Sequence, residues 1–196
     1  MDYQDPPLEK ALQGDEEAFA SLVDRYQGPV YNLCYRMLGD SNEAEEAAQE
    51  TFLRAYLGIK RYDRAKSFST WLLSIAAHYC IDRLRRRKMT LVPFDTLSYE
   101  EIADPLPGPE SLLNFHEQQQ QVRALLDVLN PTDRAIVVMY YWQDMSNNEI
   151  AQALNLTVSA VKSRLHRARI EMARVWRKDS NPNPTQEVIR YESRTL

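Results

Sequence analysis

The chain is short of glycine, with 5 in 196 residues, and none of them is arranged as a loop that could cradle a phosphate. It has two cysteines, Cys34 and Cys80. Each falls in an apolar helical pattern, and no cysteine or histidine lies at metal-ligand spacing. Buried free thiols are therefore the favoured reading over a disulfide, and no metal is expected. His78, His116 and His166 form no cluster, and no nucleophile–base pair stands out. The expectation is a protein that is no enzyme and needs no cofactor. No stretch approaches the ~18 apolar residues of a membrane helix. The opening MDYQDPPLEK is acidic and polar, unlike a secretory signal. A cytoplasmic protein with no stable membrane insertion follows as the expectation. Strand alternation is missing too, so the predicted fold is all-α.

The formal net charge of −4 argues against nucleic acid only until its distribution is read. Residues 1–50 hold 12 acids and 3 bases, whereas residues 51–88 hold 10 bases and 2 acids. Residues 95–118 hold 6 acids and no Lys or Arg, and residues 162–178 hold 7 bases and 1 acid. Phosphates respond to local charge, so two basic blocks parted by an acidic stretch suggest two nucleic-acid surfaces.

The stretch SNNEIAQALNLTVSAVKSRLHRAR, residues 146–169, reads as two short helices and a tight turn. Ser146 with Glu149 has the form of a capping box. Ile150, Ala151, Ala153 and Leu154 supply an apolar side. Asn155 stands where the chain must reverse, and asparagine tolerates positive φ. Thr157 can cap the next helix, whose Val158, Val161, Leu165, Ala168 and Met172 keep one apolar face. Lys162, Arg164, Arg167 and Arg169 stand off that face. A basic second helix of this kind suits a DNA major groove, although a helical hairpin with a solvated basic face has the same pattern.

Upstream, a helix is predicted from about Asp15 to Tyr26, and a second after Pro29 carrying Val30, Leu33, Cys34, Met37 and Leu38, with Gly39 as its stop. Asp40 with Glu43 resembles a cap for a third helix ending near Ile59. Ala44, Ala47, Ala48, Phe52, Ala55 and Ile59 point inward, and Glu45, Glu46, Gln49, Glu50 and Leu53 lie opposite. That acidic side is either a solvated face or a partner surface. Lys60 to Ser69 mixes Lys60, Arg61, Arg64 and Lys66 with Tyr62 and Phe68, a combination that suits a splayed single strand and also an ordinary loop. A fourth helix starts near Thr70, with Trp71, Leu72, Ile75, Ala76 and Tyr79 inside, and ends in Arg83, Arg85, Arg86, Arg87 and Lys88. Trp71 fits the core or the surface.

Residues 91–116 change character, with prolines 93, 105, 107 and 109 among acids. Too long for a loop inside a compact domain, the stretch reads as a flexible acidic linker. It divides the chain into two small helical domains, 1–90 and 117–178, leaving a tail at 179–196. In the second, Val122, Leu125, Leu126 and Leu129 mark one helix. Asn130-Pro131 starts another, with Ile136, Val137, Met139 and Tyr140 inside.

Three motifs in this order resemble the bacterial extracytoplasmic-function (ECF) RNA polymerase sigma factors. EAEEAAQETFLRAY resembles the family's polymerase-binding helix. FSTWLLSIAAHYCIDRLRRRK resembles its minus-ten recognition and melting region. LNPTDRAIVVMYYWQDMSNNEIAQALNLTVSAVKSRLHRAR resembles its minus-thirty-five reader. The resemblance covers about residues 8 to 176. It implies a subunit that binds core RNA polymerase and directs promoter-specific initiation, including promoter melting. Its implied partners are the polymerase (β′ clamp helices and β flap), promoter DNA and, for many members, an anti-sigma factor.

By the same resemblance, Glu45, Glu46, Gln49, Glu50 and Phe52 fall on the polymerase-docking surface. Arg61, Tyr62, Arg64, Lys66, Ser67, Phe68, Trp71 and His78 fall where a flipped minus-ten base and the non-template strand are held. Arg83, Arg85, Arg86 and Arg87 fall at duplex phosphates. Ser159, Ala160, Lys162, Ser163, Arg164 and Arg167 fall on the minus-thirty-five helix. The chain departs from the family at Ser159-Ala160, often Gly-Thr, and at His78, often Asn. These positions sit near bases, so a promoter sequence does not transfer. A stand-alone helix-turn-helix regulator is the alternative, and it leaves residues 40–69 without a role.

Overall fold

A computed structural model of the chain describes residues 6–90 and 119–180. The predicted linker and nearly all of the predicted tail lie outside the described residues. Within them, α1 (Pro6–Leu12), α2 (Glu16–Leu38), α3 (Ser41–Gly58) and α4 (Phe68–Thr90) precede the gap, with a 3-10 turn at Ile59–Arg61. After it come α5, described over 119–127, then α6 (Pro131–Trp142), α7 (Asn147–Leu154) and α8 (Val158–Ser180). Among the described residues there is no strand, as the sequence pattern requires.

Side-chain caps set most helix starts. Asp15 accepts from Ala18 N at 2.9 Å and Asp40 from Glu43 N at 2.8 Å. Asn130 Oδ1 accepts from Asp133 N at 3.0 Å, with Pro131 in the first turn, where its missing N–H costs nothing. Gly39 ends α2 at φ 75°, in the left-handed region that glycine enters freely.

One boundary differs from the sequence reading. The two helices predicted on either side of Pro29 are a single helix, α2. Proline removes one backbone hydrogen bond, but Gly28 and Pro29 face solvent. Leu22 before them and Val30, Leu33 and Met37 after them bury on the same side. Burial of that continuous apolar stripe outweighs the interruption.

The first half packs α2, α3 and α4 around Leu22, Leu33, Met37, Ala44, Ala47 and Leu72, with α1 laid against α2. Cys34 and Cys80 are fully buried free thiols where α2 meets α4. Their mutual hydrogen bond, reinforced by burial, pushes the Cys80 thiol well above its ordinary value.

The two halves touch. α6 packs on α2 and α4, α7 packs on α4, and one continuous core runs through both halves. Two patterns record this. In α4, Leu73, Ala77 and Ile81 are buried beside the predicted Leu72 and Ala76, giving the wide apolar arc of a helix packed against several neighbours. In α6, every residue from Arg134 to Met139 is buried, although the sequence pattern places only Ile136, Val137 and Met139 of these inside.

Candidate polymerase and promoter surfaces

Three surfaces gather most of the residues singled out by sequence. The first is the outer side of α3. Ala44, Ala47, Thr51 and Ala55 turn inward, and Thr51 satisfies its hydroxyl on the Ala47 carbonyl at 2.7 Å. That register leaves Glu45, Glu46 and Gln49 exposed. Glu50 is half-buried and paired to Arg54 at 2.7 Å, and Phe52 is half-buried against the core. Beside them lies an apolar patch that sequence reasoning found only in Leu53. Leu57 is 74% exposed, and Leu53 and Tyr56 are also open. The signal for Tyr56 and Leu57 was present, since both stand off the inward 3-4 spacing of this helix. An acidic rim beside exposed apolar side chains is the chemistry of a docking site.

The second surface runs from the loop after α3 along α4. Arg61 and Arg64 are exposed, with Arg64 tied to Glu9 at 2.9 Å, and Lys66 is half-buried. Tyr62 packs edge-on against Phe68 and tilted against Trp71, with ring centroids of the three 5.3–5.7 Å apart. Its hydroxyl donates to the Lys66 carbonyl and closes the loop. Phe68 is buried, touching Tyr26 on its far side, so it cannot offer a face to a base as the sequence reading expected. It supports the half-exposed rings of Tyr62 and Trp71 from below. Ser67 serves the fold as well, because its hydroxyl accepts from Thr70 N at 3.1 Å and caps α4.

From Trp71 the outer stripe of α4 continues through Ser74, His78, Asp82 and Arg85, one turn apart. His78 is exposed, and its Nδ1 donates to the Ser74 carbonyl at 2.7 Å, leaving Nε2 facing outward. Arg85 and Arg86 are exposed. Arg83 and Arg87 are not with them. Both lie toward α3, where Arg83 pairs with Glu46 at 2.9 Å and Glu43 at 3.7 Å, and Arg87 pairs with Glu43. The Arg83 hydrogen bond and charge hold the Glu46 carboxyl below its ordinary value. The family resemblance grouped all four arginines at duplex phosphates. A helical turn of 3.6 residues sends positions 83 and 87 to one side and 85 and 86 elsewhere.

The third surface is the helix-turn-helix. The capping box at Ser146 and Glu149 forms in both directions, at 3.2 Å and 2.8 Å. Asn155 takes φ 53°, and Leu156 N reaches back to the Ala151 carbonyl at 2.9 Å, which fixes the tight turn. Thr157 accepts from Ala160 N at 3.1 Å and starts α8. Val161, Leu165 and Ala168 seal the inner face. Ser159, Lys162, Ser163, His166 and Arg167 are exposed on the outer one, and Ala160 is half-buried. Arg164 is bound to Asp133 of α6 at 2.8 Å. It therefore orients α8 in addition to facing outward.

Among the described residues no cluster of His, Cys, Asp or Glu could hold a metal ion, and no helix is long and apolar enough to cross a membrane.

These surfaces, in this chain order, have counterparts in known proteins. The chain matches the Sigma-70 region 2 family over residues 22–90 and the Sigma-70, region 4 family over residues 119–172. Such a pairing defines a sigma subunit of the bacterial transcription machinery. The ECF RNA polymerase sigma factor SigW of Bacillus subtilis (strain 168) is 37% identical over 169 residues, covering 83% of this chain and 90% of the relative. SigX of the same organism is 33% identical, covering 78% of this chain and 80% of the relative. The fold is also that of CnrH, solved in complex with the cytosolic domain of CnrY. It has a TM-score of 0.65 at 24% identity and covers 88% of this chain and 96% of that one. RpoE of Bartonella quintana, solved with the anti-sigma factor NepR, has a TM-score of 0.62 at 18% identity, covering 82% of this chain and 98% of that one. The chain belongs to the ECF RNA polymerase sigma factors. It is a sigma factor that binds core RNA polymerase and promoter DNA and directs transcription initiation.

Proposed function

We propose that this sigma factor works entirely by binding, with its three surfaces divided between polymerase, opened DNA and duplex DNA, and that it does so in the cytoplasm. The acidic and apolar outer side of α3 docks on the polymerase clamp through Glu45, Glu46, Gln49, Glu50 and Phe52, with Leu53, Tyr56 and Leu57 as apolar anchors. The loop from Arg61 to Lys66, together with Trp71 and His78, holds the unpaired minus-ten strand. Tyr62 and Trp71 supply stacking faces, and Arg61, Arg64 and Lys66 supply charge for phosphates. Arg85 and Arg86 meet duplex phosphates just upstream. Ser159, Ala160, Lys162, Ser163, Arg164 and Arg167 face the major groove at the minus-thirty-five element.

Melting follows from this arrangement without covalent chemistry. Unstacking costs a few kcal/mol per base, and each base captured on an aromatic ring returns ~1–3 kcal/mol. Two half-exposed rings cannot hold a bubble open alone, so polymerase contacts must supply the remainder. An anti-sigma factor is a further partner, of the kind solved with RpoE.

The observation that carries this reading is the exposure of the second helix of the helix-turn-helix, on a chain that also presents an acidic, apolar docking face. A stand-alone regulator has no use for that second face. Reconstitution with core polymerase is the test. Promoter-dependent transcripts that appear only with both components are expected, whereas site-specific repression or activation without stable polymerase binding would replace the reading with the regulator.

A further inference from the structure

The basic residues on the outer side of α8 are held in two different ways. Lys162 and Arg167 stand exposed. Arg164 Nη1 instead donates to Asp133 Oδ1 at 2.8 Å, and the two side chains are 32% and 14% exposed, so water screens the pair only in part. Asp133 is fixed in turn by Asn130. Its Oδ2 accepts from Asn130 Nδ2 at 2.6 Å, and its backbone N–H donates to Asn130 Oδ1 at 3.0 Å. It also stands in the first turn of α6, where the open N–H groups of a helix favour a carboxylate. Asn130, Asp133 and Arg164 thus form a chain that ties a side chain of α8 to the start of another helix, 31 positions away in sequence.

This chain has two physical consequences. A guanidinium holds its five N–H donors in one rigid plane, so fixing one donor fixes the direction of the others. The carboxylate also cancels the guanidinium charge. Each phosphate that a protein cation neutralises steepens the log–log salt dependence of binding by about 0.9. A neutral pair adds little to that slope, while the directional bonds of its arginine are kept.

We propose that Asp133 is a positioning residue for promoter recognition. By holding and neutralising Arg164, it turns that side chain from a charge contact into one that discriminates between sequences, and it leaves charge-driven affinity to Lys162 and Arg167. The inference rests on the reading of α8 as the minus-thirty-five helix. Without Asp133, Arg164 becomes a mobile cation that grips the phosphates of any duplex.

The test uses the full chain assembled with core polymerase. Binding is titrated across a salt series on a promoter that the reconstituted enzyme transcribes, and on the same fragment with its minus-thirty-five element scrambled. Asp133→Asn keeps the size of the side chain and removes its charge. It should steepen the salt slope by up to about 0.9 and cut discrimination between the fragments about tenfold, chiefly through tighter binding to the scrambled one. Asp133→Glu, which restores the charge, should restore the slope. Asp133→Asn with Arg164→Gln removes both charges together, so it should keep the slope of the unaltered chain and still lose the discrimination. Thermal melts followed by circular dichroism report the folding of each variant. A purely structural brace predicts a lower melting temperature and equal weakening on both fragments, with slope and discrimination unchanged, and that result would overturn the proposal. Full discrimination in the double variant would overturn it as well, even if Asp133→Asn alone failed to fold. If scrambling the upstream element made no difference to the unaltered chain, the reading of α8 as the minus-thirty-five helix would fall instead.

Discussion

Arg134 is the residue on which the union of the two halves can be measured most cleanly. It is 7% exposed, bonds the Met37 carbonyl at 2.9 Å and pairs with Asp127 at 2.8 Å. The bond to the carbonyl is charge-assisted and buried, worth about 1.5–3 kcal/mol. The ion pair is worth about 0–1 kcal/mol, because the Asp127 side chain is 54% exposed. Against these stands the cost of burying a guanidinium. Burial lowers the Arg134 pKa more than Asp127 raises it, and its Nε finds no protein partner. Arg134→Met keeps most of the volume and removes that cost, so a net loss of about 2 kcal/mol is expected. Arg134→Ala adds a cavity and should lose about 1–2 kcal/mol more. Because the lost bond joins the halves, urea denaturation followed by fluorescence and by circular dichroism should change from one shared transition to two. A single transition at the wild-type midpoint in both variants would refute the assignment of Arg134 as the link.

Ser146→Ala should cost about 1 kcal/mol, the worth of a helix cap, and lower the midpoint of the shared thermal transition. The Glu46 carboxyl, held low by Arg83, contributes stability that is complete above 4.5 and is lost as pH falls through its folded value. An acid titration of stability should therefore flatten below pH 4.5 in Glu46→Gln, and an unchanged profile would remove this pair from the account. Leu53→Ser with Leu57→Ser should leave the melting temperature within about a degree, since both side chains are exposed, yet weaken core polymerase binding at least tenfold by pull-down titration. Phe52→Ala with Gln49→Ala should weaken the same binding.

Local signals carried much of this structure. The caps at Asp15, Asp40, Asn130 and Ser146, the positive φ at Asn155 and the stops at Gly39 and Asn155 are all written in short stretches of sequence. The inward faces of α7 and α8 followed from 3-4 spacing alone, as did Ala44, Ala47 and Ala55 of α3, but spacing passed over the buried Thr51. What spacing could not convey was long-range. Pro29 looked like a helix start because the stripe that binds both sides of it to one core is visible only once α3 and α4 are in place. Phe68 read as a surface aromatic because its neighbours Tyr26 and Tyr62 come from different segments. Arg83 and Arg87 were grouped with Arg85 and Arg86 until the acids of α3 drew them away. The docking of α6 on α2 left one trace, the unbroken apolar run Ala135–Met139, which single-face periodicity underestimates.

The most direct measurement is a footprint of the transcribing complex formed with core polymerase, comparing the unaltered chain with Arg164→Ala/Arg167→Ala and with Tyr62→Ala/Trp71→Ala. The account predicts that the first pair loses protection only upstream, with a shallower salt dependence, and keeps the melted region. It predicts that the second pair keeps upstream protection and loses permanganate reactivity of the opened strand. Loss of both signals together in either variant, or of neither in both, would contradict a division of labour between the two halves.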